Sequence, residues 1–196
     1  MLIIEGLRVQ EVTLDLTIAP GEIVCLSGPS GSGKSLLLRA VADLIPHRGR
    51  ISFNGEECAA MPAHLWRRRV GLLPAESQWW ATTVGEHFPR PVQAELAALG
   101  FGPEVMGWQV TRCSTGERQR LAILRLLALA PAALLLDEPT ASLDQESIGR
   151  VEGLIDRYRK QHRAPVLWVS HDPAQMARVA DRRLQINGTG VEEVSV

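Results

Sequence analysis

The chain has 196 residues, 45% apolar and 22% charged, a composition that allows one domain with a sizeable core and excludes a disordered chain. Its formal charge of −1 gives no electrostatic reason to expect nucleic acid or an anionic membrane as a partner. Cys25, Cys58 and Cys113 stand far apart, without a CxxC pair or a Cys/His ligand spacing, which points to reduced thiols rather than a disulfide framework or a zinc site.

The opening stretch, MLIIEGLRVQ, has neither a basic n-region nor a sustained apolar run, so no signal peptide is expected. LDLTI then alternates with period two and runs into the turn APGE. EIVCLS, at 22–27, reads as a strand, followed by a glycine-rich loop and a helix over 34–44. RISFNGEE is expected to be an edge strand ending in an Asn54-Gly55 turn, and VGLLP a strand stopped by Pro74. Residues 79–113 differ from their surroundings, with Pro89, Pro91, Pro103 and glycines at 100, 102 and 107, which predicts short helices joined by loops.

Regular patterns resume with a helix over 116–129, the buried-type strand ALLLD, and a helix over 145–161. PVLWVS and RRLQIN complete the set, and this alternation of strands and helices predicts an α/β protein with a largely parallel sheet. The most apolar window, LAILRLLALAPAALLL, is interrupted by Arg125 and Pro131 and is too short to span a bilayer, so a role at a membrane requires a separate membrane protein.

GPSGSGKS matches G-x-x-x-x-G-K-[ST] in full, over Gly28, Pro29, Ser30, Gly31, Ser32, Gly33, Lys34 and Ser35. Glycines let backbone N–H groups converge on phosphate oxygens, Lys34 adds charge near the β- and γ-phosphates, and the Ser35 hydroxyl can ligate Mg²⁺. A flexible glycine-rich turn is the bland alternative, but the strand before and the helix after supply the context a phosphate site needs.

ALLLDEP places Asp137 at the carboxyl end of a buried strand, where open α/β sheets hold their ligands. There Asp137 can hold Mg²⁺ through water, and Glu138 can polarise an attacking water. An acidic strand-to-loop turn would look the same if it stood alone. LWVSHDP brings His171 to the tip of a third strand, with Asp172 and Pro173 reading as a helix N-cap and first helical residue.

In order along the chain, GPSGSGKS, STGERQRLAILR, LLLDEPTASLD and WVSHD resemble the ATP-binding domain of ABC transporters. The resemblance spans 1–196 as a single domain with a short helical subdomain inserted at 79–115. It implies a P-loop NTPase core with a mostly parallel sheet and an N-terminal antiparallel β portion. It also implies an ATPase using ATP and Mg²⁺, working as an ATP-induced head-to-tail homodimer. Residues 28–35 take the Walker A position, Asp137 and Glu138 those of Walker B and the catalytic base, Asp144 the D-loop, and His171 that of the switch histidine.

The family signature LSGGQ stands here as CSTGE, so Ser114, Thr115, Gly116 and Glu117 would face a phosphate across the dimer. Thr115 adds a β-carbon where the family has glycine, Glu117 brings a negative charge near an anion, and Ser114 with Glu117 also reads as a capping box. No Phe, Tyr or Trp precedes Phe53, so the usual adenine-stacking aromatic is missing, leaving Arg8 or an aliphatic neighbour to cover the base. Aligned without gaps, Ala75 occupies the Q-loop glutamine position, with Glu76 or Gln78 as substitutes.

Trp79 and Trp80 fall near the groove that receives the membrane subunit, with one ring expected buried and the other facing the partner; both rings packed inside is the alternative. The resemblance thus implies the energising subunit of a transporter, peripheral on the cytoplasmic face of the membrane, driving a separate integral membrane permease without nucleic acid. Short stand-alone ATPases of the iron-export (FetA-like) type are similar in VLWVSHD and in their compact helical region. The alternatives are a soluble ABC-type ATPase or a nucleotide-binding regulatory subunit; the first lacks a second ATP domain or basic insertion here, and intact Lys34, Asp137, Glu138 and His171 argue against the second.

Overall fold

The computed structural model describes residues 1–194. Two sheets organise them. An antiparallel sheet of order β2-β1-β4-β5 is built from β1 (Leu2–Val9), β2 (Val12–Ile18), β4 (Arg48–Phe53) and β5 (Glu56–Glu57). The larger sheet has order β10-β9-β3-β8-β7-β6, from β3 (Ile23–Ser27), β6 (Val70–Leu73), β7 (Ala133–Asp137), β8 (Val166–Val169), β9 (Arg182–Asn187) and β10 (Gly190–Val194). Within it, all pairs are parallel except β9 with β10.

The central strands are apolar throughout because both faces are covered, as parallel sheets require. Alternate residues go to opposite cores. Cys25, Leu134, Leu136, Val166 and Trp168 join one cluster with α4 (Thr115–Ala128) and α5 (Gln145–His162). Val24, Leu26, Leu135, Leu167 and Val169 join a second with α1 (Lys34–Val41) and the antiparallel sheet. Trp66, on α2 (Ala63–Arg69), is fully buried in this second core, its indole N–H donating to the Val41 carbonyl at 2.8 Å.

Several boundaries depart from the sequence reading. β1 lacks a clean period-two pattern because its alternation breaks between Ile4 and Leu7, where the register shifts at a bulge. Gly6 there has φ 56°, and a Cβ on the facing Gly49 would collide with the Gly6 carbonyl. RISFNGEE does form the sheet edge with its Asn54-Gly55 turn, but as a hairpin: β4 pairs with β1 and the two-residue β5 folds back on it. α1 stops at Val41, short of the expected 44, with Asp43 in the left-handed region at φ 55°. β10 likewise carries no strand pattern in the sequence, since its exposed glutamates mask the alternation of an edge strand.

Between β6 and β7 the described residues form no strand beyond a single bridge from Thr83 to Gln109. As expected, short helical pieces fill the first part: α3 (Gln93–Ala98) and 3₁₀ turns at Gly85–His87, Pro103–Gly107 and Val110–Arg112. Val92, Leu96, Leu99 and Val105 anchor them on the α4–α5 core. α6 (Pro173–Val179) follows β8, N-capped by Asp172, whose Oδ1 accepts from the Ala174 N–H at 2.9 Å. No helix is long and apolar enough to cross a membrane among the described residues.

Candidate functional site

Leu26 of β3 pairs with Val169 of β8, which pairs with Asp137 of β7, so these residues form one row across adjacent strands. The chain leaves that row three times on the same edge, into the glycine-rich loop, the Asp137–Glu138 turn and the His171 turn. With strands about 4.8 Å apart, the first and second exits stand about 10 Å from each other. The row continues past the strands through the Ser170 N–H to Leu26 at 3.3 Å and the Glu138 N–H to Val169 at 3.1 Å.

The glycine-rich loop is shaped for an anion. Gly28 has φ 150°, and a Cβ there would crowd Ser32 Oγ at 3.0 Å and Ile186 Cβ at 3.1 Å. Gly33, with φ 93°, caps α1 without a side-chain hydrogen bond, and the first turn of α1 has no acidic residue, so its N–H groups face outward unneutralised. Ser32 Oγ is buried without a hydrogen-bond partner, an orphan that a phosphate oxygen would satisfy. Lys34 Nζ donates to the Gly28 and Pro29 carbonyls, each at 2.8 Å, which holds its charge inside the loop. From the antiparallel sheet, Val12 reaches this loop, its Cγ2 lying 3.4 Å from where a Gly33 Cβ would be.

Asp137 is 4% exposed, yet its carboxylate makes no ion pair or side-chain hydrogen bond among the described residues, which suits it to a hard cation. Glu138 sits at φ 48°, an uncommon conformation for a residue with a side chain. His171 Nδ1 lies 2.9 Å from Glu138 Oε2, joining the second and third exits directly.

Beneath these turns is a buried polar hub that sequence reasoning missed. Gln175, 2% exposed, donates from Nε2 to Thr140 Oγ1 at 2.8 Å and to Glu152 Oε1 at 3.0 Å. Its Oε1 accepts from Ser170 Oγ at 3.0 Å, and Arg178 closes the set on Glu152 at 2.9 Å. Thr140 follows Glu138 by two residues and Ser170 precedes His171, so Gln175 ties the two turns together. The spacing D-x-x-Q in DPAQ reads as a capping box, but Gln175 turns into the core instead.

Ser114 and Glu117 do form a capping box at the start of α4: Ser114 Oγ accepts from the Glu117 N–H at 3.2 Å and Glu117 Oε2 from the Ser114 N–H at 2.7 Å. That backbone bond holds the Glu117 carboxyl below its ordinary pKa. Thr115 is exposed at the helix start. A Cβ on Gly116 would lie 3.2 Å from the Ser142 carbonyl, so glycine lets the SLD segment pack on α4. Asp144 caps α5 by accepting from the Ser147 N–H at 2.8 Å and the Ser147 hydroxyl at 3.0 Å, which lowers its pKa. This group has no side-chain hydrogen bond to residues 28–35, Glu138 or His171 among the described residues.

Ala75, Glu76 and Gln78 line a cavity of about 350 Å³ together with Thr115, Arg118 and Ser142, none of them from the glycine-rich loop. Trp79 packs against the α4–α5 core, whereas Trp80 is 74% exposed. Arg125, from α4, stands over both rings at 4.5 and 4.8 Å, and burial lowers its pKa from the ordinary value. Trp80, Arg125, Leu72, Phe88 and Leu129 line an open groove of about 430 Å³.

Residues 12–141 match the family model described as ABC transporter. The aliphatic sulfonates import ATP-binding protein SsuB 3 of Nocardia farcinica is 37% identical over 183 residues, covering 92% of this chain and 72% of its own. The probable iron export ATP-binding protein FetA of Escherichia coli is 31% identical over 172 residues, covering 81% of this chain and 76% of its own. The molybdenum import ATP-binding protein ModC of Mesorhizobium japonicum is 34% identical over 179 residues and covers 82% of this chain, which spans about half, 48%, of that relative's length. A solved structure of an ATP-binding subunit of an ABC transporter superposes with a TM-score of 0.86 over 100% of this chain and 90% of its own, at 23% identity. A bacterial Atm1-family ABC exporter with ATP bound gives 0.83 over 99% of this chain and 38% of its own, at 24% identity; both likenesses concern the fold.

Proposed function

The chain belongs to the ABC transporter family of ATP-binding domains, and from that premise we propose that it binds and hydrolyses ATP to drive a separate integral membrane permease. The observation that carries this reading is the single row of strand ends that brings the glycine-rich loop, Asp137, Glu138 and His171 to one edge. On this reading 1–196 is one ATP-binding unit with a helical subdomain at 79–115, peripheral on the cytoplasmic face of the membrane.

Residues 28–35 cradle the phosphates, with the α1 N–H groups and Lys34 Nζ as donors. Asp137 and Ser35 would hold Mg²⁺, which when bound neutralises charge on the β- and γ-phosphates. Glu138 takes a proton from the attacking water, and His171, already bonded to it, keeps that carboxylate oriented. In a second copy, Ser114 and the opening turn of α4 complete the site from the other side, and Asp144 holds the adjoining turn. Glu76 or Gln78 substitutes for the Q-loop glutamine, and Trp79 and Trp80 belong to the face that meets the permease.

The test is Glu138→Gln, assayed for ATP binding, hydrolysis and self-association, alone and with a co-purified permease. ATP binding is retained, hydrolysis falls by about 100-fold or more, and ATP-bound dimers accumulate. Undiminished turnover in that variant removes Glu138 from its role, and failure of any membrane protein to co-purify favours a soluble ATPase.

A further inference from the structure

The segment carrying Trp79 and Trp80 is held by a histidine that none of the roles above uses. His87 is 6% exposed, and its ring is bonded on both nitrogens. Nδ1 lies 2.9 Å from the Thr83 carbonyl, which can only accept, so Nδ1 carries a proton. Nε2 lies 3.0 Å from the backbone N–H groups of both Trp80 and Ala81 and accepts from both. One protonation state satisfies all these contacts, the neutral ring with its hydrogen on Nδ1. A proton on Nε2 would turn the acceptor into a donor facing two donors.

The ring's neighbours are two indoles, a guanidinium over them and a carboxylate on its own turn. The ring is wedged edge-on between Trp79 and Trp80, with centroids 4.8 and 4.7 Å away. From α4, Arg125 covers both indoles and donates to the Gln78 carbonyl at 2.9 Å, so a cation already stands on this side. From the ring's own turn, Glu86 is committed to Thr83, accepting from its N–H at 2.6 Å and its hydroxyl at 2.7 Å. A second ring proton on Nε2 would face two backbone N–H groups with no acceptor there.

We propose that neutral His87 is a pH-sensitive pin for the Trp79–Trp80 docking face, and that protonation of Nε2 releases this face and weakens its hold on the permease. A proton from solvent takes the Nε2 lone pair, the two N–H···N bonds break, and no covalent bond changes. The released backbone no longer sets Trp80 and Arg125 as the wall of the groove, so the permease's cytoplasmic helix loses its apolar seat. The choice of partner rests on the docking reading above; the pin itself does not.

Two measurements separate these. In the chain alone, nitrogen NMR of the His87 ring and fluorine NMR of fluorotryptophan-labelled protein are followed from about pH 8 to about pH 5, the span in which histidines change charge. The pin requires the Nδ1–H tautomer at the alkaline end, and joint movement of the Trp79 and Trp80 resonances on acidification while buried Trp66 and Trp168 stay fixed. His87→Gln keeps an acceptor of similar reach that cannot take a proton, and should abolish the movement; His87→Ala should place both resonances in the released position at every pH. An Nε2–H tautomer, or tryptophan resonances that titrate alike in wild type and His87→Gln, overturns the pin.

In the second measurement, affinity for the purified permease in detergent falls on acidification by up to about tenfold per pH unit for one coupled proton, and does so far less in His87→Gln. Equal pH dependence in both overturns the regulatory inference. Absence of permease binding at every pH rejects the docking reading instead, and the NMR result alone then decides the pin.

Discussion

The strand-end floor and the segment between β6 and α4 satisfy their polar groups in opposite ways. In the floor, the hub that ties the Asp137–Glu138 turn to the His171 turn has its donors and acceptors matched inside the core, and the orphaned Ser32 Oγ belongs to the phosphate loop beside it. In the other region a neutral histidine and, from α4, a guanidinium over two indoles do the holding, and Ser77 Oγ and Trp79 Nε1 are buried with no partner. A fully satisfied network fixes geometry, which positions groups for chemistry. A region with orphaned donors and a few replaceable clamps opens at lower free energy.

Removing the hub should produce the largest effect within this comparison. Gln175→Leu leaves Thr140, Ser170 and Glu152 without their shared partner, a destabilisation of about 1–3 kcal/mol for buried groups left unsatisfied. Because the hub touches the turns and not the phosphate loop, kcat for ATP hydrolysis should fall about tenfold to 100-fold while KM for ATP changes by less than about threefold. Gln175→Glu keeps the acceptor for Ser170 but replaces the donor to Glu152 with a second carboxylate, so it should recover no kcat. Equal losses in kcat and ATP affinity would show that the floor moves as one body, erasing the distinction.

The same contrast governs what could be read in the sequence. The strands β3, β7 and β8 and the exits that follow them were legible because buried parallel strands are continuous apolar runs and their loops carry fixed motifs. The N-cap roles of Ser114 and Asp172 were legible for the same local reason. Gln175 was not, since its partners lie 35, 23 and 5 residues away and no spacing announces them. His87 and Arg125 were missed similarly: the first sits seven residues from the amide it caps, and the second reaches 47 residues back to Gln78. Of the expectation of one buried and one exposed tryptophan, the exposed half holds at Trp80, while Trp79 is only half-buried against the core.

A smaller effect is expected from the exposed side of the second region. Trp80→Ala removes a ring that is 74% exposed, so thermal unfolding should change by no more than about 0.5 kcal/mol. Association with the permease should weaken by about 2 kcal/mol, roughly 30-fold, the loss typical of an aromatic anchor, read by titration calorimetry or surface binding. A large stability loss with unchanged association would instead make Trp80 part of the subdomain's own packing.

The smallest effect belongs to the start of α4, which lies between the two regions. Ser114→Ala removes the cap and should cost about 1 kcal/mol in urea unfolding. Its partner Glu117 has a folded pKa below the unfolded value, so its contribution is present above the unfolded pKa of about 4.3 and is lost as pH falls through the folded one. The carboxylate bonds the Ser114 backbone N–H, which Ser114→Ala keeps, so the pH-dependent part is read from Glu117→Ala: wild type and that variant should differ most near neutral pH and converge on acidification below about pH 4. If ATP-dependent dimerisation of Ser114→Ala weakens by much more than the capping loss can explain, Ser114 also meets the phosphate of a second copy. If the two losses match, the serine serves its own helix, and the altered signature takes its trans contacts from the α4 backbone alone.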